Sequence, residues 1–270
     1  QDGMTIHSTT GEIKIGSKKV QDQFKIVDFS SHLEKINLQQ ANLKFSAQNF
    51  RIKSNQSAIN TVVLEDGYSA LDVGEIQLIK EKKNSLNLHL KDLAWRTETK
   101  LQKSTVNFIS QIQLSHLQAG QRNFQDMKLN FDIMDLNQKK LQNLFDRYDQ
   151  LVRECQPSIN INEEIQKDVF ALLNHGFTFK SEGNQIKSGQ AIAKLNVDGR
   201  MLPAHHSNQK AFIEAMPHLF EYKMNADIDK NMLKTFKPEA TAAEIDTMAN
   251  ELVQNMQAQR KGDRIHISMQ

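Results

Sequence analysis

The chain has 270 residues and a mass of 30.9 kDa, with 34 basic and 32 acidic side chains and a net charge of +2. That balance excludes the strongly basic footprint of a dedicated nucleic-acid binder and the acidic composition of a solvating tail. No apolar run approaches the roughly 20 residues of a membrane span, and the single Cys155 allows no intramolecular disulfide.

The first half alternates on a two-residue period. Ile13 and Ile15 open the pattern, followed by Leu43, Phe45 and Ala47, then Phe50 and Ile52, then Leu71 and Val73, and Ile76 and Leu78 beyond Gly74. Leu86, Leu88 and Leu90 alternate strictly, and Trp95 follows on a stripe whose register shifts after Leu90. Longer stripes run from Val106 to Leu114 and from Met127 to Ile133. Such alternation belongs to antiparallel strands with one dry and one wet face, because strands covered on both sides read as continuous apolar runs. The 26 Gln and 22 Asn then have a place, as polar side chains on the solvated face.

At Asn137 the period changes to three and four. Leu141, Leu144, Phe145 and Leu151 predict a helix over 138–154 with Asn137 as its cap. A second helix carries Ile165, Val169 and Leu172 and ends at Gly176. Strands resume at Phe177 and Phe179, with a turn at Glu182-Gly183-Asn184 and a partner strand from Gln185 to Val197, bulged at Ser188-Gly189. Phe220 to Ile228 is a further strand, and Asp229 caps a short helix bearing Met232, Leu233 and Phe236. Thr241 and Glu244 have capping-box spacing for a last helix over 242–259, before a closing strand through Ile265 and Ile267.

These elements predict an α+β fold: a long, curved, mainly antiparallel sheet with helices packed on its apolar face and concentrated in the C-terminal half. Residues 1–135 are the mainly β part, and 136–270 continue the same sheet with covering helices. Counting strands against helices leaves the early strands short of cover, which makes Phe45, Phe50 and Ile52 candidates to line a ligand or partner groove. Trp95 joins them as a candidate anchor, although a core tryptophan is the more ordinary reading.

Chemistry is sparse. Phosphate-cradling glycine motifs, a GxSxG elbow and metal-ligand spacings are all missing from the sequence. His205-His206 lies in a polar stretch and reads as loop histidines. Cys155 falls at a helix C-terminus, where the dipole disfavours a thiolate. The expectation is a non-enzymatic protein with no cofactor and no metal.

In order and pattern, residues 85–270 resemble the YdgA-like family of Gram-negative envelope proteins, a bacterial domain of unknown function. The resemblance rests on the Leu141/Leu144/Phe145 helix, the hairpin from Phe177-Thr178-Phe179 to Lys194-Leu195-Asn196-Val197, the Met224-Asn225-Ala226-Asp227 strand and the closing Gly262-Asp263-Arg264-Ile265. It implies a periplasmic location, with a tether to the inner membrane through an anchor preceding this chain. The implied role is binding a lipid or an envelope protein along the sheet, in envelope biogenesis or maintenance. A homodimeric scaffold without a small ligand is the alternative, and a hydrolase with a dispersed site the third.

Overall fold

The computed structural model describes residues 5–9, 11–20, 23–40, 42–55, 66–80, 86–153, 159–205 and 209–270. The strands are β1 (Thr5–Ser8), β2 (Gly11–Val20), β3 (Gln23–Gln40), β4 (Leu43–Ser54), β5 (Gly67–Lys80), β6 (Leu86–Gln102), β7 (Thr105–Ala119) and β8 (Arg122–Asn137). Helices α1 (Gln138–Arg153) and α2 (Ile159–Leu173) follow, then β9 (Phe177–Ser188), β10 (Ala191–Met201), α3 (Gln209–Leu219) and β11 (Phe220–Asp229). The chain finishes with α4 (Met232–Phe236), α5 (Ala242–Asn255), β12 (Gln259–Lys261) and β13 (Arg264–Met269).

All 13 strands form one antiparallel sheet in the order β1-β3-β4-β5-β6-β7-β8-β9-β10-β11-β13-β12, with β2 also on β3. β1 and β2 occupy the same edge of β3 in one register, Thr5 opposite Gln39 and Gly11 opposite Leu33. Several strands are long: 18 residues in β3, 17 in β6, 16 in β8, against a usual length of about 5–6.

This corrects the expected architecture. The molecule is dominated by its sheet, and the helices do not form a layer along the apolar face. They pack around β8–β13, and the α1–α2 cluster reaches Leu101, Val106 and Phe108 beyond β8. Strands of this length present far more apolar surface than the five helices among the described residues, each about 10 Å wide, can cover.

Two clusters anchor the helices. Val106 and Leu136 pack with Leu141 of α1 and Leu172 of α2, and Ala226, Ile265 and Ile267 pack with Ala249 of α5. Asn137 caps α1, its Oδ1 accepting from the Lys140 amide at 3.0 Å. Thr241 and Glu244 close the capping box on α5. That helix stops at Asn255 and not at 259, because Gln257 turns left-handed (φ 49°) and Gln259–Lys261 pairs with β13.

The two glycines of the 177–197 region exchange the roles expected of them. The hairpin turn lies at Gly189 (φ 57°), between Ser188 and Ala191, while Gly183 (φ 69°) is a bulge inside β9. A positive φ suits glycine in either setting. The bulge is fixed by buried Asn184, which takes the Asn130 amide at 2.7 Å and donates to Ser181 Oγ at 2.9 Å and Leu195 O at 3.0 Å. Helix α3 is an addition to the expected elements, and it buries Phe212 edge-on against Phe170 of α2 at 5.5 Å.

Candidate functional site: the apolar face of β2–β8

Cross-strand partners share a face of the sheet, so the registers give the composition of each face row by row. One row runs Leu38, Phe45, Leu78, Leu88, Ala119; the next runs Ile36, Ala47, Ile76, Leu90, Leu117, Phe124. A third contains Leu33, Phe50, Val73 and Leu93, and a fourth runs Ile13, Ser31, Ile52, Leu71, Trp95, Ile112, Leu129. The fourth spans seven strands, about 29 Å at roughly 4.8 Å per strand.

Between the second row and the third the apolar positions change parity in every strand: 47 to 50, 76 to 73, 90 to 93, 117 to 114, 124 to 127. Simple alternation would send the two halves to opposite faces, but the packing shows that it does not. β10 and β11 pair without interruption from Ala193–Ile228 to Met201–Phe220, so the α5 cluster at Ile228 and the Phe177 side of the α1–α2 cluster lie on one face. Phe124 meets Phe236 of α4 at 6.0 Å, and Ile133 packs in the α1–α2 cluster. Phe124 and Ile133 therefore share a face although they are nine residues apart, and β8 resets once between them.

The reset lies at Asp126, whose φ is 47°; Asn49 (φ 53°) and Asp92 (φ 52°) occupy the same transverse line in β4 and β6. A left-handed residue turns the chain by nearly half a revolution relative to an extended one, and Asn and Asp tolerate that region better than other non-glycine residues. Gly74 and Ser115 stand between them on β5 and β7. This crease keeps Phe45, Phe50, Ile52 and Trp95 on one side, with Ile52 and Trp95 in the same row through Leu71.

The three aliphatic and aromatic candidates on β4 are half-buried, beside Ala47 (4% exposed) and Val73 (2%). Trp95 is not a core residue: it is 44% exposed, with Nε1 donating to Ser110 Oγ at 3.0 Å. Leu129 (47%) in its row and Phe131 (46%) on the same strand extend the exposed patch.

The crease also opens polar clefts. One of about 320 Å³ is lined by Asn49, Arg51, Asp72 and Asp92, and another of about 480 Å³ by Asp92, Ser115, Asp126, Lys128 and Lys187. Ser115 Oγ donates to Asp92 at 2.7 Å, and the Lys187 ammonium, 2.8 Å from Asp126, holds that carboxyl below its usual range. A larger cleft of about 740 Å³ lies where Pro217 and Phe220 meet Arg200, its guanidinium paired with Glu221 at 2.6 Å. Of these carboxylates Asp72, Asp126 and Glu221 are committed to the cations Arg96, Lys187 and Arg200, and Asp92 accepts from the Ser115 hydroxyl.

His205 is exposed, while His206 and Cys155 lie outside the described residues. Among the described residues no three His, Cys, Asp or Glu side chains are grouped to hold a metal ion, and no helix is long and apolar enough to cross a membrane.

Sequence reasoning missed the crease as a whole. Its signal was present, a parity change carrying Asn or Asp in β4, β6 and β8, but it is visible only when the strands are aligned.

Fold and site together define an antiparallel sheet protein with a broad, partly uncovered apolar face. The family model described as "Bacterial protein of unknown function (DUF945)" matches residues 2–270, and the chain belongs to that family. No curated protein matches it.

Proposed function

We propose that the protein is a non-enzymatic lipid-binding component of the Gram-negative envelope, holding acyl chains against the apolar face of β2–β8. The observation that carries this reading is the set of contiguous apolar rows outside the two helix-packed clusters, with Trp95, Leu129 and Phe131 close to half exposed. The make-up of the rows favours an acyl chain over a folded partner. Protein interfaces carry about one hydrogen bond per 100–200 Å², whereas Leu33, Phe50, Val73 and Leu93 offer no side-chain donor or acceptor at all. An acyl chain needs none, and each methylene removed from water stabilises the complex by about 0.8 kcal/mol. The family's bacterial membership and the resemblance to YdgA-like envelope proteins support a periplasmic site of action, with an inner-membrane tether preceding this chain.

The test is retention of palmitate or phosphatidylethanolamine by the purified chain through gel filtration, read by mass spectrometry of the organic extract. We expect stoichiometric retention by the wild type. Trp95→Glu combined with Leu129→Glu, both at exposed positions, should reduce it at least tenfold with an unchanged circular dichroism spectrum. A wild-type protein that retains neither lipid overturns the proposal.

A further inference from the structure

The free edge of the sheet carries a second, independent message. Among the described residues β2 pairs with β3 alone, so the backbone groups on its outer side have no strand partner. One face of the strand is apolar and open: Ile13 and Ile15 are 63% and 57% exposed, on the face that continues through Ile52 and Trp95. Proteins ordinarily blunt such edges, because an open strand with apolar side chains templates pairing with another chain. Here Glu12 and Lys14 charge the opposite face of the edge, and beyond Gly16 the pairing with β3 is itself irregular, its register shifting between Gly16 and Ser17. That leaves Gly11–Gly16 as the segment able to accept a strand.

We propose that the occupant is β2 of a second copy, paired antiparallel about a twofold axis at Ile13. Charge complementarity selects this centre. Pairing about Ile13 sets Glu12 of each copy opposite Lys14 of the other, Ile13 opposite Ile13, and Gly11 opposite Ile15. Centring one residue earlier opposes Glu12 to itself, and one residue later opposes Lys14 to itself; like charges directly opposite are unfavourable in a sheet. Half-residue centres would pair an apolar-face side chain with a polar-face one, which strand geometry forbids. Glu12 and Lys14 lie on one face of the strand and already meet within a protomer, 3.0 Å apart and well exposed, so they are free to exchange partners across the seam. The contact is isologous, as closed dimers require. Because the twofold stands perpendicular to the sheet, it places both apolar faces on the same side, and the fourth row runs unbroken from one copy into the other.

The test is sedimentation of the full chain across a concentration series at low ionic strength, where we expect a monomer–dimer equilibrium that weakens as salt is added. Glu12→Lys and Lys14→Glu alone should each weaken the dimer about tenfold, since each turns both ion contacts into like-charge contacts. An equimolar mixture of the two variants should form a heterodimer of wild-type affinity, because one chain then carries a lysine at both positions and faces a glutamate at both positions of the other. The exchanged double variant should self-associate as the wild type does. A wild type that stays monomeric overturns the proposal, and so does a dimer indifferent to either single change, which would place the interface elsewhere. Since the readout is mass and not bound lipid, this result stands or falls separately from the lipid-binding proposal.

Discussion

Asn184 shows how much of this sheet depends on single polar side chains. It is 5% exposed, and its amide satisfies one backbone N–H, one hydroxyl and one carbonyl across three strands at the Gly183 bulge. Asn184→Ala removes the partner of all three, and a buried group left unpaired costs about 1–3 kcal/mol. We expect a loss of about 2–4 kcal/mol by urea unfolding, near the upper end of single-residue effects. Asp227 makes a different case. The Arg264 guanidinium, bonded to it through Nε at 2.9 Å, holds its carboxyl below the usual range, and His266 adds to this from 3.3 Å. A depressed folded-state pKa means the stabilisation is complete above the unfolded carboxylate pKa and lost as pH falls through the folded value. Asp227→Asn should therefore cost about 1 kcal/mol at pH 7, discounted for a carboxylate 36% exposed. The gap between wild type and variant should close progressively below about pH 4.

At the scale of elements, the crease is a requirement on backbone conformation more than on chemistry. Asn49 sits at φ 53°, with Gly74 opposite it so closely that a Cβ on the glycine would lie 3.1 Å from that of Asn49. A β-branched residue is strained in this region, so Asn49→Val should destabilise by about 1–3 kcal/mol, while Asn49→Gly should be neutral or slightly stabilising. Equal losses for both would mean that the Asn side chain matters and the backbone does not. The helices illustrate what the sequence made legible. Asn137 and the Thr241/Glu244 box were readable because a cap is a local signal, decided within four residues. The ends of α5 and of the 177–201 hairpin were not, because Gln257, Gly183 and Gly189 all adopt positive φ and only pairing with distant strands assigns them a turn or a bulge.

For the whole molecule, period-two alternation disclosed the antiparallel sheet but not its proportions. Amphipathic strands and amphipathic helices both announce an apolar face, and the sequence does not state which faces meet. Strand-against-helix counting points to Phe45, Phe50 and Ile52, and its being the lone tryptophan points to Trp95; their gathering on one side depends on resets at Asn49, Asp92 and Asp126 that no single strand reveals. From β3 to β11 every strand lies beside its successor in the chain.

That ordering has a consequence for how the protein is made. A chain emerging from the ribosome can add one hairpin at a time to a growing edge, each closure short and entropically cheap. Two joins are exceptions: β10 to β11, which spans α3, and β8 to β9, which waits for α1 and α2 to fold. Until then the Asn130 edge of β8 stands open, so the polar ladder at Asn130, Asn184 and Ser181 acts as a late lock, joining an early-built sheet to the part synthesised last.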